Sequence, residues 1–347
     1  MSSPRAPRVS IGLPVFNGEE FLSSAIGSIL AQTYTDFELI ISDNASTDRT
    51  EAICREYAVS DPRIRYYRND HNLGAAVNFN RTFELASGEY FKWAAHDDML
   101  APEYLERCVA ALDAHPEAVL CQTLVKQIGE FGEFLANFDT SAPGADSPLP
   151  SERFGASILT FHHAIDVYGV IRAEALAKTP LHLPHAGSDK ALLADLALGA
   201  PFIYVKEPLF IHRDHPGRFV HQALKSRDEI LVWYGADRSA KQVWSWWRHY
   251  RALYGLVSRR VPYRRERLRC YGHLLRWLTI DRNLRGLVGD ALWALDPRMV
   301  TALRTLSQWL RRQQRVIASR RRVWAPPHDA RQSSLQPGQL TARGDER

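Results

Sequence analysis

Three apolar runs between Val9 and Asp98 each break abruptly into polar groups, and this repeated pattern constrains the fold more than any single motif does. Val9-Ser10-Ile11-Gly12-Leu13 breaks at Pro14 and runs into Val15-Phe16-Asn17-Gly18-Glu19-Glu20. Phe37-Glu38-Leu39-Ile40-Ile41 runs into Ser42-Asp43-Asn44-Ala45-Ser46-Thr47-Asp48, and Tyr90-Phe91-Lys92-Trp93-Ala94-Ala95 into His96-Asp97-Asp98. Short apolar runs bounded by turn residues read as strands. In open α/β sheets ligands bind outside the carboxyl ends of strands, so three polar strand ends predict one shared crevice.

The segments between these runs have helical spacing. Glu20 to Gln32 places Phe21, Leu22, Ala25, Ile26, Ile29 and Leu30 on one face, completing a strand–helix–strand unit with a right-handed crossover. Thr50 to Tyr57 reads as a second helix and Ile64 to Tyr67 as a short strand. Asn72-Leu73-Gly74 opens a third helix, from about Ala75 to Ala86, which stops at Ser87-Gly88. A helix from Pro102 to Ala114, a strand from Val119 to Gln127, a helix from Lys190 to Leu198 and a strand from Pro201 to Val205 follow. The alternating α/β part ends near Gly217. Residues 218–324 read as a helical extension rich in Trp and Arg, and residues 325–347 as a disordered tail with little apolar content.

At 347 residues the chain is long enough for a large core, and its four cysteines show no paired ligand spacing, so they are expected to be buried thiols. The net charge of +5 is concentrated after Arg248, which points to an anionic partner. No run approaches the ~18 apolar residues of a membrane span. The expected location is the cytoplasm, or the inner face of a membrane.

Adjacent carboxylates at a strand end, Asp97-Asp98, read either as a site for Mg²⁺ or Mn²⁺, completed by water and phosphate, or as caps of the helix after Pro102. Asp43 stands where an acidic residue recognises ribose in dinucleotide folds. Asp43 to Asp48 also reads as an Asx-turn and helix cap, with Asp48 mainly structural. No glycine-rich phosphate loop follows any strand, so a bound cation would have to neutralise a diphosphate.

Taken together, Pro14-Val15-Phe16-Asn17, the turn Ser42 to Asp48, Asn72-Leu73-Gly74 and Ala95-His96-Asp97-Asp98 closely resemble the family 2 glycosyltransferases, over roughly Val9 to Gly217. The resemblance implies a GT-A fold: Rossmann-like, with a mainly parallel sheet flanked by helices, here followed by a C-terminal α-helical extension. It implies inverting transfer of a sugar from a nucleotide-diphosphate sugar, usually UDP-linked, to an acceptor hydroxyl. By position, Pro14, Val15 and Asn17 would line the nucleotide, Asp43 would accept from the base, Asp97 would lie near the ribose or donor sugar, and Asp98 would hold the metal. Asp189, in Gly187-Ser188-Asp189-Lys190, matches the catalytic base, where the bland reading is a helix N-cap. The family often has an Asp where this chain has Ala95, which implies weak or dispensable metal binding.

In Phe210-Ile211-His212-Arg213-Asp214-His215-Pro216, His215 is a candidate to complete the metal shell and Arg213 to hold the diphosphate. His96 reads as a neighbour of the metal motif, and His162 and His163 as residues on the acceptor side. The tail pairs indoles with arginines, which fits either an anionic membrane surface or packing on the catalytic domain, and shows no nucleic-acid module. The reading is therefore a glycosyltransferase acting on a carbohydrate or lipid-linked acceptor in cell-surface polysaccharide or glycolipid synthesis. Its rivals are an inactive sugar-nucleotide-binding scaffold and a nucleotidyltransferase. Processive synthesis is not expected, because spans and a QxxRW-type motif are missing.

Overall fold

The computed structural model describes residues 6–160, 164–218, 233 and 245–295. His162, His163, Trp309 and the tail from residue 325 lie outside the described residues, as does most of the extension between 218 and 244.

A nine-stranded sheet runs in the order β3-β2-β1-β4-β8-β6-β9-β5, with β7 added to β6. Its first half is built from β1 (Val9–Val15), β2 (Phe37–Asp43), β3 (Ile64–Arg68) and β4 (Tyr90–Trp93), all parallel. The helices α1 (Leu22–Leu30), α2 (Thr50–Ser60) and α3 (Ala75–Glu84) connect them. β1 and β2 are buried along their whole length, as strands covered on both faces are. Gly12 has a packing role: a Cβ there would overlap Thr82 of α3 and the Phe91 ring.

The second half mixes directions. β5 (Met99–Leu100), α4 (Tyr104–Ala114), β6 (Leu120–Ile128), β7 (Phe134–Phe138), α5 (Pro150–Leu159), a 3₁₀ turn (Ile165–Tyr168), β8 (Val170–Arg172), α6 (Ala173–Leu176), α7 (Ser188–Gly199) and β9 (Phe202–Arg213) follow in order. β8 joins the halves, antiparallel to both β4 and β6, while β6 and β9 are parallel.

Two strand expectations need correction. β1 does not break at Pro14 but continues to Val15 beside β2. The Gly12 carbonyl accepts from Ala94 N and the Val15 carbonyl from Asn44 N, so residue 14 faces β4, which has ended at Trp93. Its missing N–H therefore costs no bond to β2. The last strand does not stop at Val205 but runs to Arg213, because Lys206, Glu207 and Pro208 bulge out between the rungs Thr123↔Val205 and Val125↔Phe210.

The extension contributes α8 (Ser245–Arg260), α9 (Arg264–Thr279) and α10 (Asp281–Leu295). Leu253, Leu256 and Val257 of α8 and Cys270, Leu274 and Trp277 of α9 share one buried cluster with Phe154 of α5 and Ala191, Ala194 and Leu198 of α7. Met1–Ala294 forms one compact unit. The four cysteines are free and buried.

Candidate active site

The loops after β1 and β2 are laced together. Asn17, at φ +51°, donates its N–H to Ser46 Oγ at 2.9 Å and accepts from Thr47 N at 2.9 Å through Oδ1. Gly18 N donates to Thr50 Oγ1, Glu19 N to Asp48 Oδ2 and Arg49 N to Glu19 Oε2. Burial pushes the Asp48 carboxyl up, but the hydrogen bonds from Thr50 and Glu19 outweigh it and hold the group below the usual range. Asp48 is structural, as expected.

Asp43 ends β2 and is fully buried. Its Oδ1 accepts from Ser46 N at 2.9 Å; its Oδ2 accepts from Tyr66 OH at 2.8 Å and Arg68 Nη1 at 2.7 Å. Arg68 also donates to the Ser46 carbonyl, so β3 fixes both the acid and its turn. Asn44 binds Asn69, Asn72 and Leu73 N, which ties the Asn72-Leu73-Gly74 turn to the same strand end. Pro14 and Val15 are buried at the end of β1, beside this turn.

The carboxylate pair follows β4. The antiparallel β5–β9 pairing, Met99↔Ile211 and Leu100↔Phe210, brings the His212 to His215 segment beside it. Asp98 Oδ1 accepts from Arg213 N at 3.0 Å, and His212 Nδ1 lies 3.1 Å from the same oxygen, off the direction of a hydrogen bond. Arg218 donates to His212 Nε2, which leaves the imidazole proton on Nδ1, facing Asp98. His215 Nε2 meets Asp97 Oδ2 at 3.1 Å, with Arg218 Nε 3.9 Å from that oxygen. Burial raises the Asp97 carboxyl, yet the His215 hydrogen bond and the charges of His96 and Arg218 bring it well below the usual carboxylate range. His96 closes the space over Gly18, where a Cβ would lie 2.8 Å from its Cδ2.

Arg213 and His215 are thus both in the cluster, in particular roles. The Arg213 guanidinium donates to the Asp97 and Glu130 carbonyls and stands 4.8 Å from the Phe21 ring centroid, clamping the turn from behind. His215 is paired with Asp97 rather than Asp98. Arg218, which the sequence reading did not single out, is the arginine nearest the Asp97 carboxylate.

Among the described residues no group of three or more His, Cys, Asp or Glu side chains is arranged to hold a metal ion. Two carboxylates with two imidazoles beside them nevertheless suit a hard or borderline divalent cation that takes few protein ligands and completes its shell with phosphate.

Asp189 is the second residue of α7, and the helix cap is Gly187, at φ +82°, without a side-chain cap bond. This corrects the bland expectation of Asp189 as N-cap: its Oδ1 accepts from Lys190 N at 2.8 Å inside the first turn. Three imidazoles surround the turn in neutral form. Burial brings His182 down to about 4 and His249 to about 3, and lowers His185. Asn80 of α3 pins the preceding loop through both backbone groups of His182. Burial, then the fields of Asp98 and Asp97, and also that of Asp189, raise the Tyr168 phenol. His249 comes from the extension, and nothing in its sequence surroundings marked it.

Residues 10–177 match the model of glycosyl transferase family 2. EpsE of Bacillus subtilis strain 168, named as a glycosyltransferase, is 36% identical over 138 residues, 40% of this chain and 50% of that protein. The matches span half or less of the length of the curated relatives. Among solved structures, Staphylococcus aureus TarS 1–349 in complex with UDP-GlcNAc has a TM-score of 0.59 at 17% identity, covering 80% of this chain and 74% of that one. The Pyrobaculum calidifontis mannosyltransferase PcManGT in complex with GDP-Man and Mn²⁺ has a TM-score of 0.53 at 17% identity, covering 88% and 81%. At this identity the two structures establish the shared fold.

Proposed function

We propose, from the match of residues 10–177 to glycosyl transferase family 2, that this chain moves a sugar from a nucleotide-diphosphate sugar, UDP-linked, to an acceptor hydroxyl with inversion. The observation that carries the reading is that Asp43, at the end of β2, and the Asp97-Asp98 turn, after β4, leave the same sheet on either side of β1, with the His212 to His215 segment closed against the carboxylates.

Pro14, Val15, Asn17 and Asp43 take the nucleoside, with Asp43 fixed at the strand end by Tyr66 and Arg68. Arg213 anchors the carboxylate turn, which leaves Arg218 to meet the diphosphate. A divalent cation held by Asp97, Asp98 and His215 would supply positive charge to the leaving diphosphate. Asp189 removes the proton of the acceptor hydroxyl as its oxygen bonds to the anomeric carbon. The bond from that carbon to the diphosphate oxygen breaks on the opposite face, and the electron pair leaves with the diphosphate. The acceptor class is a carbohydrate or lipid-linked glycan of the cell surface, assembled at the inner face of a membrane.

The test is calorimetric binding of UDP, GDP and dTDP with and without Mn²⁺, with Asp98→Ala alongside. UDP binding that needs Mn²⁺ and is lost in the variant is the expected result. Asp189→Asn should then keep UDP affinity and lower transfer by about 10²–10⁴. Absence of binding to every nucleotide under either condition overturns the reading; binding without transfer from any donor supports the scaffold instead.

A further inference from the structure

The outer surface of the helical extension is unlike the rest of the described molecule. Eight of the sixteen exposed large hydrophobic residues among the described residues lie between Trp247 and Leu295. On α9, Cys270, Leu274 and Trp277 face the core, while Leu268 and Leu275, seven residues apart and so on one face, are 61% and 64% exposed. On α10, Leu287 is buried, while Leu284 and Val288, four apart, are 50% and 48% exposed. The inward faces of these helices are thus already satisfied, and their outward leucines are surplus to the fold.

The charge around them has one sign. Residues 264–295 hold seven arginines against three acids. Asp290 is buried and accepts from Trp246 N, Glu266 is engaged by Arg269 and Ser151 N, and Asp281 by Arg285. Arg264, Arg265 and Arg276 stand exposed on the helix that carries Leu268 and Leu275. Leucines at helical spacing among arginines, with Tyr263 74% exposed at the head of the helix, are what an amphipathic helix lying in a bilayer interface presents. No helix among the described residues is long and apolar enough to cross a membrane.

We infer that the outer face of α9 docks on an anionic phospholipid surface, with Leu268 and Leu275 in the acyl–headgroup boundary and Arg264, Arg265 and Arg276 on the headgroup phosphates. The complementarity of charge selects a lipid surface over an uncharged apolar partner, and each arginine near such a surface adds attraction that salt screens. This goes beyond the transfer reading and does not depend on Asp189 or on donor binding.

The experiment is flotation of the full-length protein with vesicles of phosphatidylcholine alone and with about one-third phosphatidylglycerol, at low and high salt. Binding to the anionic vesicles that weakens with salt is expected, with L268E/L275E reducing it at least about tenfold and R264Q/R265Q about tenfold. All four positions are exposed, and thermal melting of each variant checks that the fold is kept. Equal binding to both vesicle types, no binding to either, or binding that survives L268E/L275E overturns the assignment. So does a protein that ignores vesicles but binds duplex DNA, or one that forms a dimer that L268E/L275E abolishes.

Discussion

His249 of α8 stands with Nδ1 3.2 Å from the point that a Cβ would occupy on Gly187, the residue that caps α7 two positions before Asp189. The extension therefore walls the turn that presents the proposed base. Gly187, at φ +82°, meets both constraints because it has no side chain. Gly187→Ala is expected to destabilise the protein by about 1–2 kcal/mol, measured by urea denaturation.

His249→Ala removes the wall and leaves the nucleotide end untouched. Its expected signature is a fall in kcat of about tenfold or more with donor KM nearly unchanged, as for a misplaced catalytic group. Amide exchange at Asp189 and Lys190 should speed up in the same variant, which reads positioning without relying on turnover.

Asp43 is held by Tyr66, Arg68 and Ser46 N in a fully buried position. Tyr66→Phe removes one hydrogen bond to a charged group and should cost about 1.5–3 kcal/mol of stability. Asp43→Asn keeps the shape and reverses half of its hydrogen-bonding character, so UDP affinity should fall at least about tenfold, read by calorimetry.

Asp166, in the 3₁₀ turn, is buried, and burial raises its carboxyl to about 6 despite hydrogen bonds from Thr140 at 2.6 Å and Tyr204 at 3.1 Å. Its ordinary value is near 3.8, so between about pH 4 and 6 the folded state holds a proton that the unfolded state has released. Its contribution is complete below about pH 4 and is lost as pH rises through 6. Asp166→Asn should flatten the fall in stability across that window, which amounts to about 3 kcal/mol. Denaturation at a series of pH values checks it.

Chelating divalent cations should weaken UDP binding in the wild type and leave Asp98→Ala, already weak, unchanged. A cation effect of equal size in both would assign the metal to other groups. His215→Ala tests the third member of the set in the same titration.

The first half of the sheet was legible because β1, β2 and β4 are buried along their whole length and their apolar runs are bounded by turn residues. β5, with two residues, and β8, with three, carry too few positions for any period to show. β7 is largely exposed and lacks an apolar face. In the candidate site, the residues at strand ends could be picked out because each polar break directly follows an apolar run. Arg68, Arg218 and His249 act across the fold, on partners 25, 121 and 62 positions away, and no local pattern encodes that. Arg213 shows the converse: a cation beside a metal motif in sequence whose guanidinium holds the turn's backbone instead.

Pro14 has a consequence beyond strand geometry. In a parallel ladder the rung after Gly12–Ala94 would run from the amide of residue 14 to the Ala94 carbonyl, and a proline cannot supply it. β1 and β4 are thus prevented from zipping together past that point. The parting of the sheet, which any molecule lying between Asp43 and Asp97 would need, is written into the backbone as one forbidden bond and does not wait for a ligand to pry it open.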